Sequence, residues 1–103
     1  VQHGQPEVGV DITAMAKAQA WADHLAATGT LSHSVLSADV SPGWIRAAEN
    51  VGRGHSAEAV EASFLSSPHH RANLLFPGFN SVGTGVATAA EGTVYVVQVF
   101  LQY

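Results

Sequence analysis

A chain of 103 residues, 47% apolar and only 12% charged, has the composition of one globular domain with a single core. Four Lys plus Arg against eight Asp plus Glu leave a net charge of −4, which argues against a nucleic-acid partner and against docking to anionic lipid headgroups, both of which need a basic footprint. Cysteine is absent, so disulfides, a thiolate nucleophile and Cys-type zinc sites are excluded, and no apolar run is long enough for a transmembrane segment.

Residues 1–10 hold Pro6 and two glycines and read as an extended lead-in whose Val8 and Val10 pack down. Asp11 is a good N-cap for a helix over Ile12 to Ala27, stopped by Gly29. Ala14, Ala18, Trp21, Ala22 and Leu25 recur at helical spacing, which makes them the buried face and Trp21 a structural residue of the core. Lys17, Asp23 and His24 fall off that face, and His24 reads as solvated. Leu31-Ser32-His33-Ser34 then sets a histidine between two hydroxyls behind an apolar anchor. A polar loop over Val35 to Ser41 and a turn at Pro42-Gly43 lead to Trp44 and Ile45, expected to plug the core.

In Ala48-Glu49-Asn50 an acid and an amide stand between small and apolar residues. A buried Glu49 needs a partner, because an unpaired buried carboxylate is strongly disfavoured. Asn50 is expected to be structural, tying down backbone groups of its loop, with a third strand over Asn50 to Gly54. Ser56 caps a short helix to about Leu65 that buries Ala57, Val60 and Phe64, and His55 just before it is expected to face solvent.

Ser66 to Phe76 combines a helix stop, a helix start and two adjacent histidines. Ser67 reads as N-cap, its oxygen accepting a backbone N–H, with Pro68 as first helical residue and Pro77-Gly78 as the stop. His69 and His70 fall in the first turn, where the positive helix end favours the neutral ring that a metal ligand or a general base requires. Asn80 to Ala89 alternates Val82, Thr84, Val86 and Thr88 against Ser81, Gly83, Gly85 and Ala87, a strand with one nearly bare face. Glycines there mark close approach by another backbone or by a ligand. Ala90-Glu91-Gly92 is a hairpin turn, and Thr93 to Gln102 is a strand apolar on both faces, as in a sheet covered on both sides. The fold class is α+β: an α-β-α sandwich whose small antiparallel sheet, of about three strands, carries helices on both faces.

Four stretches together resemble the bacterial branch of the CAP superfamily, also called the SCP domain, after cysteine-rich secretory proteins, antigen five and pathogenesis-related proteins. They are Ala-Gln-Ala-Trp-Ala-Asp-His-Leu through Leu-Ser-His-Ser, Ala-Glu-Asn-Val-Gly, Ser-Pro-His-His-Arg-Ala-Asn-Leu-Leu and Val-Gly-Thr-Gly-Val-Ala. The resemblance implies one domain over residues 1–103, lacking the family's most N-terminal helix, and a secreted or extracytoplasmic location at the cell envelope. It also implies a cleft in which two histidines and acidic residues hold a divalent ion, often zinc. The matching positions are His33, His70 and Glu49; His69 falls on a variable position. The second cleft acid of eukaryotic members would lie near Ser66 and Ser67 and is missing, and Glu61 is too far upstream to replace it.

Three functions follow from the resemblance. The first is a binding module for a divalent metal and a lipid or other small apolar ligand. The second is interaction with an envelope component or protein partner. The third is a zinc-dependent hydrolase with Glu49 as catalytic base. The binding module ranks first and the enzyme last, since two histidines fall short of the usual three zinc ligands and the chain has no His-Glu-x-x-His or Gly-x-Ser-x-Gly motif.

Overall fold

The computed structural model describes residues 9–10, 12–34, 43, 46–76 and 78–103. The elements run β1 (Gly9–Val10), α1 (Ile12–Thr28), β2 (Arg46–Gly54), α2 (Ala57–Ser66), α3 (Pro68–Leu75), β3 (Ser81–Thr88) and β4 (Val94–Gln102). Strand β4 lies between β3 and β2 and pairs antiparallel with both, while β1 adds a two-residue parallel edge on β3. The expected sandwich is therefore present, and part of the lead-in has joined the sheet.

Alanine spacing decides how α1 packs. Ala14, Ala18, Ala22 and Leu25 are fully buried. Their small side chains let the helix lie against the bare face of β3: a Cβ added at Gly83 would sit 2.1 Å from the backbone carbon of Ala14, and one at Gly85 2.3 Å from the backbone nitrogen of Gln19. The glycines thus admit a backbone, that of α1. Lys17, expected off the packed face, is buried. Gly29, at φ 69°, ends the helix with its N–H bonded to the Leu25 carbonyl at 2.8 Å.

Alternation along β4 feeds both layers. Tyr95, Val97, Val99 and Leu101 pack with α1 and Val51, while Val96 packs with Val60 and Phe64 of α2. Ser56 caps α2 as expected, its Oγ accepting from the Ala59 N–H at 3.1 Å. Glu91 sits in the β3–β4 turn, where the Gly92 N–H bonds to the Ala89 carbonyl at 2.9 Å.

Two further expectations change. Strand β2 begins at Arg46 instead of Asn50, so Glu49 and Asn50 lie inside a strand and not in a loop. Ala47, Ala48 and Asn50 have little β propensity; continuous pairing with β4, Arg46 opposite Gln102 through Gly54 opposite Val94, overrides it. Ser67 stands at the N-cap of α3 without a side-chain capping bond. Asp11, Trp44, Ile45, Pro77 and the loop over residues 35–42 lie outside the described residues. Among the described residues no helix is long and apolar enough to cross a membrane.

Candidate functional site

The site is built on consecutive residues of β2. Glu49 stands opposite Val99 and Asn50 opposite Gln98. Paired residues share a face and neighbours in a strand take opposite faces, so Glu49 lies on the α1 side and Asn50 on the side of α2 and α3.

Glu49 is the partnered buried acid that the sequence demanded. Its side chain is 0% exposed, while that of His33 is 56% exposed. Oε1 accepts from His33 Nδ1 at 3.0 Å and from the Ser34 N–H at 2.9 Å. Oε2 accepts from the Ser34 hydroxyl. A carboxylate only accepts, so the imidazole proton sits on Nδ1 and the Nε2 lone pair is left available. Trp21 anchors the same segment: its Nε1–H donates to the Ser32 carbonyl at 2.8 Å. The ring is half-buried against the rim of the core, so its structural role is to clasp the residue before His33 as well as to pack. His24 stacks on that ring at 4.7 Å and, like His55, is exposed.

Asn50 is fully buried. Its Nδ2 donates to the His70 carbonyl at 3.2 Å and to Gln98 Oε1 at 3.1 Å, and its Oδ1 accepts from Asn73 Nδ2 at 2.8 Å. It therefore ties the first turn of α3 to the sheet and does not tie a loop. The His70 ring packs on Phe64, centroids 4.9 Å apart, with Nδ1 3.0 Å from Ser67 Oγ. The hydroxyl expected to cap the helix is turned to the imidazole instead.

The structure thus brings His33 to Glu49 directly and reaches His70 through Asn50, by its carbonyl. Among the described residues no three His, Asp or Glu side chains gather into a group able to hold a metal ion.

A sequence model of the CAP family, described as the cysteine-rich secretory protein family, matches residues 2–100. The chain belongs to the CAP family. No curated protein sequence matches it. Among solved structures, an outer surface protein of Borrelia burgdorferi superposes with a TM-score of 0.80 at 18% identity, covering 95% of this chain and 79% of its own. A venom allergen-like protein of Schistosoma mansoni does so with a TM-score of 0.72 at 10% identity, covering 98% and 76%. At such identities the likeness establishes the α-β-α fold.

Within this CAP domain, Ser34, Asn73 and Gln98 hold the site residues in place, and the sequence reading gave them no role. The signal for Ser34 was visible in the hydroxyls flanking His33. Asn73 shares a helical face with His70, one turn on. Nothing local marks Gln98, whose role depends on the register between β2 and β4.

Proposed function

We propose that this CAP domain is a secreted, extracytoplasmic binding module of bacterial origin in which His33 and His70 take a divalent cation such as zinc. The observation that carries this reading is the state of Glu49. Both of its oxygens are engaged, by the His33 ring and by the Ser34 N–H and hydroxyl. A carboxylate in that position orients a histidine and raises its basicity as a ligand, the arrangement found behind metal-bound imidazoles. It is poorly placed to accept a proton from an attacking water, which counts against the hydrolase.

With two imidazoles as its protein ligands, the ion would keep much of its water. Zinc would supply a Lewis acid; Glu49 fixes the His33 tautomer, and Asn50 fixes the helix turn that carries His70. Extracytoplasmic placement draws support from the outer-surface neighbour in Borrelia burgdorferi.

Calorimetric titration with zinc tests the proposal. Wild type should bind weakly, and less as acid protonates the ligands. The His33→Ala, His70→Ala double variant should keep its circular dichroism spectrum and bind none. Equal uptake by the two proteins would sink the metal reading. An esterase or peptidase activity lost in folded, metal-loaded Glu49→Gln would replace the binding module with the hydrolase.

A further inference from the structure

Ser56 and Ser67 both stand at helix starts, and only Ser56 caps. Ser56 accepts the Ala59 N–H at 3.1 Å, the usual bond to the third helical residue. Ser67 makes no such bond; its Oγ lies 3.0 Å from Nδ1 of His70, the third residue of α3. The backbone of Ser67 is engaged elsewhere, its N–H donating to the Ser63 carbonyl at 3.0 Å and its carbonyl accepting from the Arg71 N–H at 2.8 Å. The two starts differ at the third residue, an alanine in α2 and a histidine in α3, so the imidazole has taken the hydroxyl from the helix.

That bond decides something the packing leaves open. The His70 ring packs on the buried Phe64, and Asn50 holds the His70 carbonyl. Both contacts survive a half-turn of the ring about its Cβ–Cγ bond, which exchanges Nδ1 with Cδ2 and Nε2 with Cε1. A partner that distinguishes nitrogen from carbon selects one orientation, and Ser67 Oγ does so at Nδ1. A hydroxyl accepts as well as donates, so it can receive the Nδ1 proton while a cation is taken at Nε2. Glu49 serves His33 in the same way, also at Nδ1.

We infer that Ser67 is the positioning residue of His70, holding Nδ1 so that the ring meets a divalent cation through Nε2; the cation itself rests on the metal reading proposed above. Three variants separate this role from helix capping. Ser67→Ala removes the hydroxyl but no capping bond, Ser67→Thr keeps a hydroxyl on a backbone that is already extended, and Ser56→Ala removes a true cap.

Long-range proton–nitrogen NMR of the metal-free protein, above the histidine titration range, should show the His70 ring nitrogens shifted in Ser67→Ala and restored in Ser67→Thr, with those of His33 unmoved. In zinc titration calorimetry Ser67→Ala should bind about tenfold more weakly than wild type, the usual cost of losing the partner behind a metal ligand, and Ser67→Thr within about twofold of it. Ser56→Ala should melt lower and keep the zinc affinity of wild type. His70 nitrogens indifferent to Ser67→Ala would overturn the hold on Nδ1. Equal zinc affinity in Ser67→Ala and wild type, or a loss that Ser67→Thr does not rescue, would overturn the positioning role. A wild type that takes up no zinc would overturn the metal reading and the use of Nε2 with it, while the metal-free spectra still decide the hold on Nδ1.

Discussion

Replacing Glu49 by Gln should lower stability by about 2–3 kcal/mol, a figure that follows from its bonds. The carboxylate accepts from His33 Nδ1, the Ser34 N–H and the Ser34 hydroxyl. A hydrogen bond to a charged group contributes about 1.5–3 kcal/mol against about 0.5–1.5 for a neutral one, so neutralising the acceptor costs roughly 1 kcal/mol per bond. Some of that returns if the Ser34 hydroxyl turns to accept from the new amide, which is why the estimate stops at about 3. Glu49→Ala should cost about 3–5 kcal/mol, because it strands the Ser34 donors in a partly covered site. For a domain of this size the Gln variant should melt roughly 10 °C lower. Urea unfolding by circular dichroism measures the energies, and nitrogen NMR of the His33 ring reports whether Nδ1 still holds its proton, a population that should fall in Glu49→Ala. A Glu49→Gln protein within about 0.5 kcal/mol of wild type would refute the reasoning, since that is the range of a surface change touching nothing.

Three more predictions concern the scaffold. Asn50→Ala should cost about 3 kcal/mol in urea unfolding, because it removes three hydrogen bonds of a buried side chain at once, to the His70 carbonyl, Gln98 Oε1 and Asn73 Nδ2. Gly85→Ala, whose methyl group would sit 2.3–2.4 Å from α1 backbone atoms, should destabilise by about 3 kcal/mol or more, with chemical-shift changes along α1. In the turn, the Glu91 carboxyl is held below its ordinary range first by a backbone hydrogen bond at Glu91 and then by the Thr93 side chain, against a small opposing effect of burial. A depressed folded value stabilises above the unfolded range and is lost as pH falls through the folded one. Glu91→Gln should therefore melt slightly below wild type at neutral pH and level with it in strong acid, in thermal melts across pH.

What could be read in advance was whatever is written locally. The alanine spacing of α1, the serine at the start of α2, the bare face of β3 and the doubly apolar β4 each announce themselves within a few residues. The identity of Glu49 as a buried acid needing a partner was equally legible, and its partners proved to be the segment with a histidine between hydroxyls. What escaped depends on pairing between distant segments. Ala47-Ala48-Glu49-Asn50 is a strand only because β4 lies beside it. Lys17 is buried although it falls off the alanine stripe of α1. The hydroxyl of Ser67 had two uses, a backbone N–H or an imidazole three residues on, and propensity alone favours the first.

The placement of both histidines rests on one pair of adjacent strand residues. Alternation sends Glu49 to the α1 layer, where it orders the segment following α1, and Asn50 to the opposite layer, where it grips the first turn of α3. Each histidine therefore takes its position from the same strand, although they belong to segments on different sides of the sheet. A change in the register of β2 against β4 by one residue would exchange the faces of Glu49 and Asn50 and release both histidines at once. The positioning residues are buried, while His33 is more than half exposed and donates its bond to Glu49 from the outside. Loss of a ligand and loss of its support should then differ in degree. His33→Ala removes a ligand to metal together with one of the three bonds to Glu49, while Asn50→Ala removes three bonds of a buried side chain and weakens the fold and metal uptake together. If Asn50→Ala proved as stable as wild type yet took up no zinc, Asn50 would have to contact the ion's surroundings itself, and the division between strand support and histidine ligand would fail.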